Sequence, residues 1–264
     1  MDRLLVLRLD AVGCTAEAVI NGVPLVRVGG AQALASLPVH EFTQAGRNEV
    51  MLVVHPAAPG SAALPEPRLS DGQTGASLRL LLPRVGGVAH PASARTLAQI
   101  DWAPPADEVY ESPVSLRQSV ELPIAFPRWR WLDAPLIADT PSLKKDIAAY
   151  LLDIAVGLAK GNPEPLIQAS RLRLEELALA YQRNLADDVA RLRQQVQQLH
   201  AAQPLKPALP AVGTLVLRPV AGGRLIECLA ADGTALLQSA VAGGGSVSWP
   251  VRVAVVDGRF YVLR

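Results

Sequence analysis

Few residues in this chain advertise chemistry. Aromatic side chains make up 4% of its 264 residues, and the formal net charge is +1. Near-neutrality leaves no global field to draw the protein onto DNA, RNA or an anionic membrane. There are two cysteines, Cys14 and Cys228, and no CxxC or Cys/His cluster with zinc-ligand spacing. They read as lone thiols of a reducing compartment. No run reaches the roughly 18 apolar residues of a membrane span. The histidines, His40, His55, His90 and His200, form no HExxH or HxH pair, and each is expected as a surface or half-buried side chain. No GxSxG occurs; "GGGSVSW" lacks the glycine that must follow a nucleophilic serine. Its glycines precede a strand, so the helix dipole of a phosphate site is missing. Neither Val28–Gly30 nor Val85–Gly87, both "VGG", has a phosphate-loop lysine. No catalytic residue, cofactor or metal is therefore expected.

What is present is material for a core. Half the residues are apolar and 19% are charged, which suits one large or two ordinary folded domains. "DAVGC" before Cys14 loosely matches a lipidation signal, but Arg8 and Asp10 interrupt the apolar stretch of about 7–15 residues that a leader needs. The segment reads instead as a first β-strand with Leu5, Leu7 and Leu9 on one face. A cytoplasmic protein with no membrane association is the expectation.

Residues 1–124 read as all-β. Short apolar runs such as "LLVLRL", "AEAVING", "NEVMLVVHP" and "ASLRLLLPRV" recur between turn signals. Asn21-Gly22 is the strongest hairpin signal, because both residues tolerate φ > 0. Strands at this spacing predict an antiparallel β-sandwich. "HPAAPGSAALPEPRLSDGQTG" has no period and reads as a long surface loop. The stretch "SLPVHEFTQAGRNEVMLVV" resembles jelly-roll or immunoglobulin-like sandwiches, a fold that by itself implies no function.

Residues 125–139 hold "FPRWRWLDAP", with two of the four tryptophans. In an extended chain Trp129 and Trp131 face one side, and Arg128 and Arg130 the other. Pro127 and Pro135 bracket the segment and favour extension. It reads as a linker docked on a domain surface, ahead of a partner epitope or a nucleic-acid platform, since the latter needs a wider basic field.

Residues 140–264 turn to helix and then back to strand. Thr140-Pro141 is a start signal, followed by Leu143, Ile147, Leu151, Ile154 and Leu158 on one helical face. Gly161 ends that helix. A second carries Leu166, Ile167, Leu174, Leu177 and Tyr181, and a third Leu185, Val189, Leu192, Val196 and Leu199. Asp-Gly and Gly-Gly turns then mark an antiparallel meander that the helices would cover. The overall expectation is an α+β protein: an N-terminal antiparallel β-sandwich, then a three-helix plus antiparallel-sheet domain. The order of elements, ending in "VAVVDGRFYVLR", resembles the nuclear transport factor two-like, or cystatin-like, fold. That family includes isomerases, dehydratases and non-catalytic binding modules.

Two functions follow as expectations. The first is a non-catalytic protein-binding module with an unknown protein partner; bacterial immunity proteins and secretion-system accessory proteins have this profile. The second is a small-molecule-binding or isomerase-like domain. Its pocket would lie between helices and sheet and pair a carboxylate with a tyrosine, the candidates being Tyr150, Tyr181 and Tyr261.

Overall fold

The computed structural model describes residues 4–55, 67–84, 86–122, 126–138 and 140–264. The chain divides into two compact units, Met1–Pro127 and Arg128–Arg264. Among the described residues no helix is long and apolar enough to cross a membrane.

The first unit contains β1 (Val6–Ile20), β2 (Val23–Pro38), β3 (Gly46–His55), β4 (Pro67–Leu69), β5 (Gly75–Leu82), β6 (Arg95–Trp102), β7 (Val109–Glu111) and β8 (Val114–Leu122). Asn21 and Gly22 form the turn between β1 and β2, with φ of 49° and 75°, both in the left-handed region. Asn21 also anchors the turn. Its amide nitrogen donates to the Phe42 carbonyl at 2.9 Å and to Asn48 Oδ1 at 2.8 Å, while its Oδ1 accepts the Glu49 N–H at 2.9 Å.

β1 runs unbroken where the sequence suggests two strands. β2 follows one of its edges, and the other edge is shared: Val6–Val12 pairs with β5 and Thr15–Ile20 with β3. Between the two stretches Gly13 adopts φ +64°, and Gly30, opposite Cys14, adopts +131°. Backbone of this kind suits only glycine without strain, and it lets the hairpin bend. β5 continues to β6, and β3 to β8. Those two outer strands come together, with the Gln99 N–H donating to Gln118 Oε1 at 2.9 Å. The antiparallel sheet thus nearly closes around Leu5, Leu7, Leu9, Ile20, Leu52, Leu78 and Leu80, all buried. Each such side chain contributes about 1.5–3 kcal/mol.

His40 departs from expectation. It is buried in a short 3-10 turn with Glu41 and Phe42, and its Nε2 accepts the Leu5 N–H at 2.7 Å. A strand end whose backbone donor points inward needs such an acceptor. Most of the expected long loop, residues 56–66, lies outside the described residues; Pro67–Leu69 forms β4, paired with β7.

The second unit contains α1 (Arg130–Asp133), α2 (Leu143–Ala159), α3 (Glu164–Ala169), α4 (Arg171–Ala180) and α5 (Leu185–Ala202). After them come β9 (Val216–Val220), β10 (Leu225–Leu229), β11 (Leu237–Ala240), β12 (Ser246–Trp249), β13 (Arg252–Val256) and β14 (Arg259–Val262). The sheet order is β14-β13-β10-β9, all antiparallel. The β11–β12 hairpin leaves it between β10 and β13, so the meander is interrupted. Asp257 (φ 50°) and Gly258 (φ 72°) make the final two-residue turn.

Ile147, Leu151, Ile154 and Leu158 of α2 pack with Val196 of α5 against Ile226, Cys228, Val253 and Val262 of the sheet. Aliphatic side chains therefore fill the space between helices and sheet. Asn184 caps α5, its Oδ1 accepting the Ala186 and Asp187 N–H groups at 2.8 and 3.3 Å. α2 starts at Leu143, two residues beyond the Thr140-Pro141 signal, without a side-chain cap. The expected second helix is two, broken at Ser170 (φ −98°, ψ 7°).

Candidate functional site

The tryptophan-arginine segment is not extended. Trp129 precedes α1 and Trp131 lies within it, both almost inaccessible at 0% and 2% exposure. The prolines sit outside the short helix, so they do not prevent it. Within it the Leu132 N–H donates to the Trp129 carbonyl at 3.0 Å. The two indoles flank one cation: the Arg264 guanidinium lies 6.0 Å from the Trp129 ring and 5.9 Å from that of Trp131. Arg264, itself 1% exposed, donates to Glu176 Oε2 at 2.6 Å. Glu176 Oε1 accepts the backbone N–H of Arg130 at 2.6 Å. The Arg130 side chain lies along α4, donating to Glu175 at 2.7 Å and to the Leu172 carbonyl at 3.2 Å. Arg128 is held by Asp133 through two bonds of 2.7 and 2.6 Å. Trp129, Trp131, Glu176 and Arg264 thus form a buried ionic node that also takes in the Arg130 N–H, while the exposed Arg128 pairs with Asp133 outside it.

Tyr150 and Tyr261 share an open hollow of about 570 Å³ with Asp153, Gln168, Arg171 and Arg259. Arg171 donates to the Tyr261 hydroxyl at 2.8 Å and stacks over its ring at 5.0 Å. Burial pushes the Tyr150 phenol well above its ordinary range, so it can donate a proton to a hydrogen bond but cannot serve as a base. Asp153 is exposed. The hollow therefore brings together two of the three candidate tyrosines with one exposed carboxylate.

Tyr181 lies apart, at the end of α4, under the Arg183 guanidinium at 5.1 Å. That contact leads to a second groove of about 410 Å³. Its floor is Leu166, Leu174, Leu177, Leu192, Val247 and Trp249. Arg173, Arg183 and Arg191 line it together with Asp188 and Ser170. Asp188 is buried and accepts from Arg183 Nε at 2.9 Å and from Arg191. In the sequence Asp188 looks like an ordinary acidic residue complementing a helix start. Arg191 lies three residues on along α5, a spacing that allows this pair, whereas nothing local shows that Arg183, before the helix, also folds back onto it.

In the first unit the feature of note is an edge. β2 pairs with β1 alone, and among the described residues no strand lies along its outer side. From Val28 to Pro38 it carries no charged side chain, and Leu34 is 54% exposed.

Among the described residues no group of three or more His, Cys, Asp or Glu side chains is placed to hold a metal ion. Fold and sites together define a mixed α+β protein of antiparallel sheets, bearing open grooves and a long sheet edge. The chain matches no family model, no curated protein and no solved structure.

Proposed function

We propose that this is a non-catalytic protein-binding module that recruits its partner by strand addition to β2. The observation that carries this reading is the β2 edge itself. An unpaired strand presents a row of backbone N–H and C=O groups, and proteins ordinarily blunt such edges with lysine, proline or short length. β2 is 16 residues long, and from Val28 to Leu37 it carries neither charge nor proline. The complementary occupant is an extended, uncharged segment of a partner protein, held by main-chain hydrogen bonds, with small pockets reading alternate side chains.

The test is selection of peptides from a random displayed library on the full chain, followed by hydrogen exchange. Bound peptides are expected to protect the amides of β2. Leu34→Lys, an exposed change that leaves stability within about 0.5 kcal/mol, is expected to weaken their binding at least about tenfold. Peptides that protect other regions, or that bind Leu34→Lys as well as the wild type, refute strand addition.

A further inference from the structure

We infer a second binding site, independent of β2: the hollow that holds Tyr261, between α2, the α3–α4 corner and β14, takes a phosphate monoester. Three accessible groups there have binding capacity left over. Arg259 is exposed and, among the described residues, makes no hydrogen bond or ion pair. Arg171 is exposed too, and its partners are the hydroxyl of Tyr261 at 2.8 Å and the ring of the same residue at 5.0 Å. Both partners are neutral, so Arg171 is fixed in position while its charge stays uncompensated. The half-buried Tyr261 accepts that bond, and its own hydroxyl proton has no acceptor among the described residues. A hydroxyl that already accepts still has one proton to give.

Arg259 and Tyr261 stand two apart on β14 and so leave the strand on the same side. Arg171 joins them from the start of α4 through its bond to Tyr261. All three groups donate, which selects a ligand rich in acceptors, and guanidiniums match phosphate oxygens through parallel N–H bonds. Two positive charges and a phenol O–H exceed what one carboxylate can use. A phosphate monoester supplies up to two negative charges and three acceptor oxygens. Asp153 is the one carboxylate of the lining. It pairs with neither arginine, so it weakens the positive field of the hollow without cancelling it. Phe260, Pro165 and Ile154 make the apolar part of the wall, against which the ester group would lie. The volume, about 570 Å³, falls within the range of small-molecule sites.

The experiment is calorimetric titration of the full chain with phenyl phosphate, inorganic phosphate and phenol at about pH 8, where the ester is dianionic. Phenyl phosphate is expected to bind, less tightly as salt rises, and several-fold more tightly than inorganic phosphate; phenol is expected not to bind. Arg259→Gln, an exposed change expected to leave the melting temperature in place, should weaken phenyl phosphate at least about tenfold, and Arg171→Gln likewise. Asp153→Asn should tighten it several-fold, because a like charge leaves the hollow; a merely structural role predicts no such gain. No binding of phenyl phosphate, unchanged affinity in either glutamine variant, or no gain in Asp153→Asn would each overturn the site. Equal affinity for inorganic phosphate, or binding of phenol, would overturn the assignment to an ester.

Discussion

Replacing Glu176 with alanine is the sharpest probe of the ionic node. The carboxylate touches two donors at 2.6 Å each, Arg264 Nη1 and the Arg130 backbone N–H. Its loss leaves Arg264 buried at 1% exposure, facing the two indoles and the Leu263 carbonyl, to which it donates at 2.6 Å. Breaking a buried pair from one side costs about 3–5 kcal/mol. The orphaned backbone N–H adds about 1–3 kcal/mol, part of which water entering the vacated space relieves. A net loss of roughly 4–6 kcal/mol is a large share of the 5–15 kcal/mol typical of a domain. At about 3 °C per kcal/mol, the transition of the second unit is expected to fall by roughly 12–18 °C. Scanning calorimetry of the full chain reads this directly. Glu176→Leu combined with Arg264→Met removes both charges and is expected to recover most of the loss, because an apolar pair of similar volume needs no compensation. An alanine variant melting within about 3 °C of the wild type would show that Arg264 finds water or another acceptor, and the reasoning would fail.

Two further outcomes are expected. Trp129→Ala or Trp131→Ala, each emptying a site of 0–2% exposure, is expected to cost about 3–5 kcal/mol in urea unfolding; a loss below about 1 kcal/mol would contradict the burial. On the acid side, the backbone N–H of Gln73 and the hydroxyl of Thr74 hold Asp71 below its ordinary range, and the hydroxyl and N–H of Thr234 do the same for Asp232. Because the folded values lie below the unfolded ones, this stabilisation is complete above the ordinary carboxylate range and disappears as pH falls through the depressed values. Melting temperature is therefore expected to drop below about pH 4, and less steeply in Asp71→Asn/Asp232→Asn; an unchanged slope would refute it.

The parts of the fold legible in the sequence are those set by local chemistry. Asn21-Gly22 and Asp257-Gly258 are two-residue turns whose φ values follow from residue type, and both sit where the strands reverse. The 3.6-residue period of α2 survives because one face meets one core. What escaped depends on distant partners. "LLVLRL" and "AEAVING" read as separate runs, yet β3 and β5 together hold β1 as one bent strand. The break at Ser170 involves neither glycine nor proline, and one polar turn between Ile167 and Leu174 does not by itself mark a helix end. The "RWRW" alternation predicts two faces of an extended chain, but Glu176 and Arg264, far along the sequence, bind the segment as a short helix. Of the candidate tyrosines, Tyr150 and Tyr261 do meet. The groove beside Tyr181 has no sequence signature, because its arginines come from separate elements and its serine resembles any other.

The shared edge of β1 also sets a timetable for synthesis. Val6 pairs with Leu81, and Val12 with Gly75, so during synthesis β1 must wait for β5, whose residues follow its own by some 63–75 positions. At about 5–20 residues per second, that interval is on the order of 4–15 s. Until then Leu5, Leu7 and Leu9, which end with no solvent contact at all, have only the β2 hairpin for company. The apolar face of β1 therefore stays uncovered through that interval.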